Sequence, residues 1–470
     1  MKDFMSKFSP MRTLRRLALW QAGELDRLRL LSEYQKSQFL NHSKLEAELS
    51  QRLKYQLLHA VDQCEYYASM GVERQMIQDD PFRALQEFPV LQRRTVQQGL
   101  SRLLAKGSNQ ANIFRNQTGG STGEPVVFYV DKARQESRMA ATLRHDEWAG
   151  LRLGDRRAVV WGAPQDMPPT KWRSRARQYL MGNQLWLDTS HITESKVVEF
   201  VRALKRFRPK VIIAYATSMA MVARVVREKG IQPYQPTSII TSAEVLSNEN
   251  RRLISETFGC PIFNRYGCRE FGVIASECGQ HAGMHTMTEG LLVEVTRDGN
   301  PVKDGEQGMV LVTDLLNRAM PLIRYQIGDM ARATREQCPC GRTLTRITEI
   351  SGRVTDFLIA SDGSLVSGVF LATYLIASRP SLGKVQLVQR ELRRLTFKIL
   401  KGENFSESTD IPYLTDCARK YLGSDIAIDF EFVDNIPPSA SGKTQFSVCE
   451  VPHQLTDIAP VASVIKVAND

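Results

Sequence analysis

Cysteine is scarce: eight in 470 residues, at positions 64, 260, 268, 278, 338, 340, 417 and 449. Spread so thinly through so long a chain they cannot form a disulfide scaffold, and they point to a reducing, cytoplasmic setting. Long hydrophobic runs are also missing. No stretch reaches the roughly 18 consecutive apolar residues of a spanning helix, and the start lacks the apolar stretch and small-residue cleavage site of a secretory signal. No fixed-period repeat is visible, which sets solenoids and propellers aside. Basic residues outnumber acidic ones, 62 to 51, for a formal charge of +11, yet they form no Lys/Arg block and no aromatic-interleaved stripe. That charge favours an anionic partner, and its scatter argues against nucleic acid as that partner.

What is present is an ordinary globular mixture, 42% hydrophobic and 24% charged, in a chain long enough for a sizeable core and a cleft between domains. Lys2, Lys7, Arg12, Arg15 and Arg16 surround Phe8, Met11, Leu14, Leu17 and Trp20. This basic amphipathic start could touch an anionic membrane surface, but a helix packed on the body with its arginines solvated is the preferred reading. Leu45, Leu49, Leu53, Leu57, Leu58 and Val61 recur at helical spacing, so residues 1–105 form a mainly helical region whose run ends near Pro81 and Pro89. Residues 106–352 alternate β-rich runs (126–130, 157–161, 211–215, 238–241) with helical ones (133–149, 194–205, 219–229, 248–258), the pattern of an α/β body. Between Leu291 and Thr313, turn signals at Asp298-Gly299-Asn300 and Asp304-Gly305 divide alternating apolar runs into a β-rich subdomain. Residues 353–470 read as a small α+β domain with strands at 385–388, 395–400 and 426–432 and helices at 368–377 and 411–422, entered through a hinge near Ser351-Gly352-Arg353.

Thr118-Gly119-Gly120-Ser121-Thr122-Gly123-Glu124-Pro125 stands just before the strand at 126–130. Glycines let backbone N–H groups converge on an anion, and hydroxyls add donors to phosphate oxygens. No Gly-Lys-Ser/Thr follows and the loop opens into a strand, so it is not a Walker A loop. Farther on come Tyr266-Gly267-Cys268-Arg269-Glu270, Arg324-Tyr325-Gln326-Ile327-Gly328-Asp329, Gly352-Arg353-Val354-Thr355-Asp356 and Ser441-Gly442-Lys443.

In this order and with these separations, these segments resemble the signature series of the adenylate-forming superfamily, which includes acyl-CoA synthetases, peptide-synthetase adenylation domains and luciferases. Within it the chain is most similar to the phenylacetate-CoA ligase family, especially its branch associated with capsular and exopolysaccharide biosynthesis. The likeness runs from about Asn116 to Lys443. It implies an α/β adenylate-forming fold with a large N-terminal body, a β-rich subdomain and a mobile C-terminal lid. It also implies ATP-dependent activation of a carboxylic acid as acyl-AMP with pyrophosphate release, then transfer to CoA or another acceptor, as in polysaccharide biosynthesis. Such chemistry needs charge neutralised and groups aligned more than covalent help.

By the same resemblance Thr118, Gly119, Gly120, Ser121, Thr122 and Gly123 hold the phosphates, and Glu270 helps bind Mg²⁺ through hard oxygen. Asp329 accepts from the ribose hydroxyls. Ser242-Ala243-Glu244 forms the adenine-side loop, Tyr266 stacks beside the base next to Gly267, and Arg353 belongs to the nucleotide-binding hinge. Lys443 arrives from the lid and brings a mobile cation to the α-phosphate and the attacking carboxylate. The sequence departs from the pattern in three places. Thr355 takes the usual hinge position, a polar turn Ala360-Ser361-Asp362-Gly363-Ser364 replaces a Gly-rich stretch beside the pantetheine tunnel, and the phosphate loop ends in Glu124-Pro125 rather than Lys. Phosphate neutralisation must then come from elsewhere. The alternatives are an adenylyltransferase that leaves AMP on its product and a nucleotide-binding assembly factor without turnover. The acid, the acceptor and the oligomeric state are left open.

Cysteine supplies a second constellation. Cys338-Pro339-Cys340 lies downstream of Cys278, with His281 and His285 nearby, enough nitrogen and sulfur donors for a structural tetrahedral Zn²⁺ completed by one of the two histidines; relatives in the resembled family carry such a zinc. Reduced thiols beside two surface histidines are the alternative. His145 and Trp148 lie one helical turn apart and read as core-facing ahead of acyl-pocket residues. Cys268 has no evident histidine partner that would make it a nucleophile.

Overall fold

The computed structural model describes residues 25–108, 113–117, 126–161, 184–189, 194–353, 357–362, 365–367, 371, 379–402, 404–436 and 447–451. Helix α1 (Leu25–Ser37) precedes α2 (His42–Gln63), which Asn41 caps by accepting from the Lys44 N–H at 2.9 Å. Leu45, Leu53, Leu57 and Ala60 share the buried face of α2. Short helical segments continue to Leu103. Pro81 opens one of these instead of ending the run. Asp80 accepts there from the N–H groups of Phe82 and Arg83 at 3.1 and 3.0 Å, and a proline at the first helical position has no donor to lose.

An antiparallel pair, β1 (Ile113–Gln117) and β2 (Val127–Asp131), feeds directly into α3 (Lys132–Trp148), capped by Asp131 accepting from the Arg134 N–H at 2.7 Å. Strands and helices then alternate as β3 (Arg157–Trp161), β4 (Gln184–Asp188), α4 (Glu194–Phe207), β5 (Val211–Tyr215), α5 (Ala216–Glu228), β6 (Ser238–Ser242), α6 (Asn248–Phe258) and β7 (Ile262–Cys268). The apolar runs of β3, β5 and β6 pair in parallel, as strands buried on both faces do. After β7 the chain doubles back through β8 (Gly272–Glu277), β9 (Met284–Thr286), β10 (Leu291–Arg297), β11 (Asn300–Pro301), β12 (Gln307–Asp314), β13 (Tyr325–Thr334) and β14 (Arg346–Arg353). These strands extend the parallel sheet antiparallel, edge to edge, so that among the described residues it has twelve strands in the order β11-β10-β12-β13-β14-β9-β8-β7-β6-β5-β3-β4.

Among the described residues, the two largest cores flank the sheet. One joins the N-terminal helices and α3 to the antiparallel half through Leu53, Phe88, Phe128, Phe271 and Tyr325, and the other joins α4, α5 and α6 to the parallel half through Val201, Ile212, Met219 and Ile262. The N-terminal helices therefore share a core with the sheet.

Beyond β14 come β15 (Phe357–Ile359), β16 (Leu365–Ser367), β17 (Lys384–Glu391), β18 (Arg394–Leu400), α7 (Glu407–Leu422), β19 (Ala427–Phe432) and β20 (Ser447–Cys449). A four-stranded sheet, β19-β18-β17-β20, encloses a separate core around Leu387, Phe397, Leu414 and Leu422, giving a small α+β C-terminal unit. Helix α7 begins four residues before the predicted start and continues through Pro412. Asp410 reaches back to accept from the Ser406 N–H at 2.9 Å and is held by Arg379 at 2.7 Å, which fixes the first turn. The helix predicted at 368–377 lies outside the described residues apart from Leu371, and the basic N-terminal stretch lies outside them too. Among the described residues no helix is long and apolar enough to cross a membrane.

Candidate active site

Ligands of open α/β sheets gather at the carboxyl ends of parallel strands, and the predicted residues of β6 and β7 lie at that edge. Ser242 ends β6, and the chain leaves it through Ala243 in the left-handed region (φ 68) toward Glu244. Ser242 is in register with Arg265, the residue before Tyr266 on β7. Gly267 follows because nothing larger fits: a Cβ there would run into the carbonyl oxygen of Gly272. Trp161 and Tyr215, ending β3 and β5, lie against each other with ring centroids 4.0 Å apart and their planes tilted by 30°.

From β13 two side chains meet this edge. Tyr266 Oη donates to Asp329 Oδ2 at 2.7 Å, and Tyr325 Oη donates to Glu270 Oε1 at 3.2 Å. Both carboxylates are buried, each 8% exposed. Asp329 is paired in register with Arg353 at the end of β14, so the backbone of the predicted hinge begins beside it. Gly328, at φ +90, supplies the left-handed turn just before Asp329. The structure thus makes two contacts from β13 to this edge, Asp329 with Tyr266 and Tyr325 with Glu270, and Ser242 and Gly267 lie next to Tyr266 in the sheet and along the chain. Thr118, Gly119, Gly120, Ser121, Thr122, Gly123 and Lys443 lie outside the described residues, as does the side chain of Arg353. Sequence reasoning quoted Tyr325 inside its motif without giving it a role; its hydroxyl contact with Glu270 joins β13 to the turn between β7 and β8, strands that the sheet order separates from it by β14 and β9. Cys268 sits in the same turn, and burial pushes its thiol well above the usual range, which leaves no thiolate for nucleophilic attack.

The second constellation forms at the other end of β8. Cys278 follows that strand, His285 is on β9, and Cys338 and Cys340 lie on the loop before β14. Their ligand atoms all fall within 4.8 Å of one another. Cys278 Sγ lies 3.8 Å from Cys338 Sγ, and Cys340 Sγ lies 3.3 Å from His285 Nε2. Ligands around a tetrahedral zinc would stand about 3.8 Å apart for two sulfurs and about 3.5 Å apart for sulfur and nitrogen, so the donor set fits. His285 Nδ1 faces the Leu344 carbonyl at 3.4 Å, which turns Nε2 toward the thiols. Burial lowers its pKa to about 4, so the ring is neutral and able to act as a ligand. His281 is the histidine that does not join. It adopts φ 50, its Nδ1 pairs with Glu277 Oε2 at 3.1 Å, and its ring lies against Phe263.

His145 and Trp148 face the core beside this cluster. Their rings stack 4.2 Å apart, Trp148 meets His285 edge-on at 5.6 Å, and its indole N–H donates to Gln38 Oε1 at 3.0 Å. Burial holds His145 well below its ordinary pKa, hence neutral.

Residues 358–450 match the CapK C-terminal domain family. The chain is 24% identical to protein CapK of Staphylococcus aureus over 369 residues, 77% of this chain and 80% of that one. It is 30% identical to the phenylacetate-coenzyme A ligase of Thermus thermophilus over 233 residues, 48% of this chain and 51% of that one. Among solved structures it resembles 2-hydroxyisobutyryl-CoA ligase in the postadenylation state with R3-HIB-AMP (TM-score 0.70, 17% identity, 88% of this chain and 91% of that one). It also resembles the O-succinylbenzoate coenzyme A synthetase of Bacillus subtilis with AMP (TM-score 0.52, 15% identity, 71% and 67%). The chain is a homologue of CapK and of the phenylacetate-CoA ligases, built on the fold of the adenylate-forming ligases.

Proposed function

We propose that this protein is an ATP-dependent, adenylate-forming ligase that activates a carboxylic acid as acyl-AMP, releases pyrophosphate and passes the acyl group to CoA or another acceptor, in polysaccharide biosynthesis. The observation that carries the reading is the pair of contacts Tyr266–Asp329 and Glu270–Tyr325 between β13 and the end of β7, in a chain whose relatives include phenylacetate-CoA ligases. Asp329 accepts from the ribose hydroxyls while Tyr266 both steadies it and lies beside the base. Glu270 offers a hard carboxylate, fixed by Tyr325, that suits magnesium; such an ion screens phosphate charge when bound. Trp161 and Tyr215 offer a tilted pair of aromatic rings to the acid. Ser242, Ala243 and Glu244 border adenine, the loop at 118–123 and Arg353 attend the nucleotide, and Lys443 enters from a C-terminal lid (353–470) that swings against the 106–352 body. Cys278, His285, Cys338 and Cys340 hold a structural zinc, since four protein ligands leave no open position for water. The eight cysteines, none in a disulfide, support a reducing, cytoplasmic setting.

Acid-dependent ATP–pyrophosphate exchange over a panel of carboxylic acids tests the proposal. Exchange with at least one acid is expected, reduced about a hundredfold in Lys443→Ala, the loss of one charged transition-state contact. ATP binding with no acid-stimulated exchange would favour an assembly factor instead, and AMP retained on a product would favour an adenylyltransferase.

A further inference from the structure

Two arginines one helical turn apart on α3 grip the backbone on either side of Glu270. Arg134 Nη2 donates to the Phe271 carbonyl at 3.2 Å, and Arg138 Nη2 donates to the Arg269 carbonyl at 2.7 Å. Their i, i+4 spacing puts both on one face of the helix. Their surroundings differ. Arg134 is 1% exposed and its charge is already met by Asp314 at 2.7 Å. Arg138, among the described residues, has no carboxylate ion pair, and its Nη1 is buried without a hydrogen-bond partner. Cys268, Asp314 and Glu270 all feel its charge, and although burial and Arg134 pull its pKa down to about 10 it remains a cation at neutral pH. Space for it is kept by Gly272, at φ +78, where a Cβ would come within 3.0 Å of Arg138 Nε.

A buried donor left open in a native site calls for a function. The phosphate loop ends in Glu124-Pro125 without a lysine, and β2 and α3 run on from that loop almost without interruption. The helix that follows the loop therefore also reaches the carboxylate turn. We propose that Arg138, one helical turn along from the ion-paired Arg134, fixes the Glu270 turn for the metal-bound triphosphate through its bond to the Arg269 carbonyl, its open Nη1 N–H being the donor taken up by the incoming phosphate. This rests on the nucleotide reading above.

Calorimetric titration of the full chain with ATP, once with Mg²⁺ and once with EDTA, separates the two ideas. Wild type is expected to bind ATP more tightly with Mg²⁺, and Arg138→Gln to lose that gain by about tenfold at an unchanged unliganded melting temperature. Arg138→Lys, which keeps the charge and loses the fork, should recover part of it; if the Gln variant does not fold, the Lys variant carries the test with a smaller loss. A variant that folds and keeps the full Mg²⁺-dependent gain overturns the proposal. Wild type that binds ATP with no such gain, or not at all, overturns the nucleotide reading itself.

Discussion

The hydroxyl of Tyr266 donates to Asp329 Oδ2 at 2.7 Å and so ties the last parallel strand, β7, to β13 of the antiparallel half. The bond holds one carboxylate rotamer at the sheet edge, where a ribose would need an ionised acceptor. Tyr266→Phe keeps the ring and removes this bond to the carboxylate. ATP should then bind about 3- to 10-fold more weakly, with the unliganded melting temperature little changed; calorimetry and thermal denaturation read the two separately. Unchanged ATP affinity would remove Asp329 from the ribose role.

Metal content distinguishes the two histidines. His285→Ala and Cys278→Ser should each drop bound zinc, measured by mass spectrometry of the purified chain, from about one equivalent to a small fraction, while His281→Ala retains it. Removing the metal with a chelator should lower the melting temperature of wild type more than that of His285→Ala. A His281→Ala protein without zinc would reverse the assignment drawn from the 3.3 Å approach of His285 to Cys340.

Much of this was legible beforehand because it is local. The strands at 157–161 and 211–215 and the helix at 248–258 appear where apolar periodicity puts them, and the motifs around Tyr266 and Asp329 are contiguous runs. What was not legible depends on contacts between distant segments. Nothing within a few residues of His281 or His285 says which one meets Cys338 and Cys340, since the choice is made when β9 pairs with β14. Arg134 and Arg138 carry no signal of their own in the sequence, since basic residues at i, i+4 usually line a solvated helix face; only the packing of α3 against the turn after β7 turns them inward. Pro81 misled for a related reason: proline ends a helix or opens one, and the difference lay in Asp80 as a cap.

A buried ion pair links the N-terminal helices to the body. Arg144 pairs with Glu289, both 0% exposed, and Glu289 also accepts from Ser37 Oγ at 2.6 Å while Arg144 reaches the Tyr34 carbonyl at 3.3 Å. Removing one partner strands the other charge away from water. Glu289→Ala should cost on the order of 3–5 kcal/mol of stability in denaturant unfolding, and the double change Arg144→Met with Glu289→Leu should recover most of it. Equal losses in the single and double variants would mean that the pair holds α1 through its hydrogen bonds and not through its charge.

In the C-terminal unit Asp410 sets a pH dependence. It is 1% exposed and accepts from Arg379 at 2.7 Å, Ser381 Oγ at 3.1 Å and the Ser406 N–H at 2.9 Å. Burial by itself would raise its pKa, but the bonds from Ser406, Arg379 and Ser381 outweigh it and hold the carboxyl below its ordinary value of 3.8. A carboxyl with a lowered folded-state pKa adds stability that is fully present above the unfolded value and is lost as pH falls through the folded one. Asp410→Asn should therefore lower the melting temperature at pH 7 by about 5 °C, and the difference from wild type should shrink as pH falls below 3.8. A difference that stays constant down to pH 2.5 would mean that Asp410 acts through shape alone.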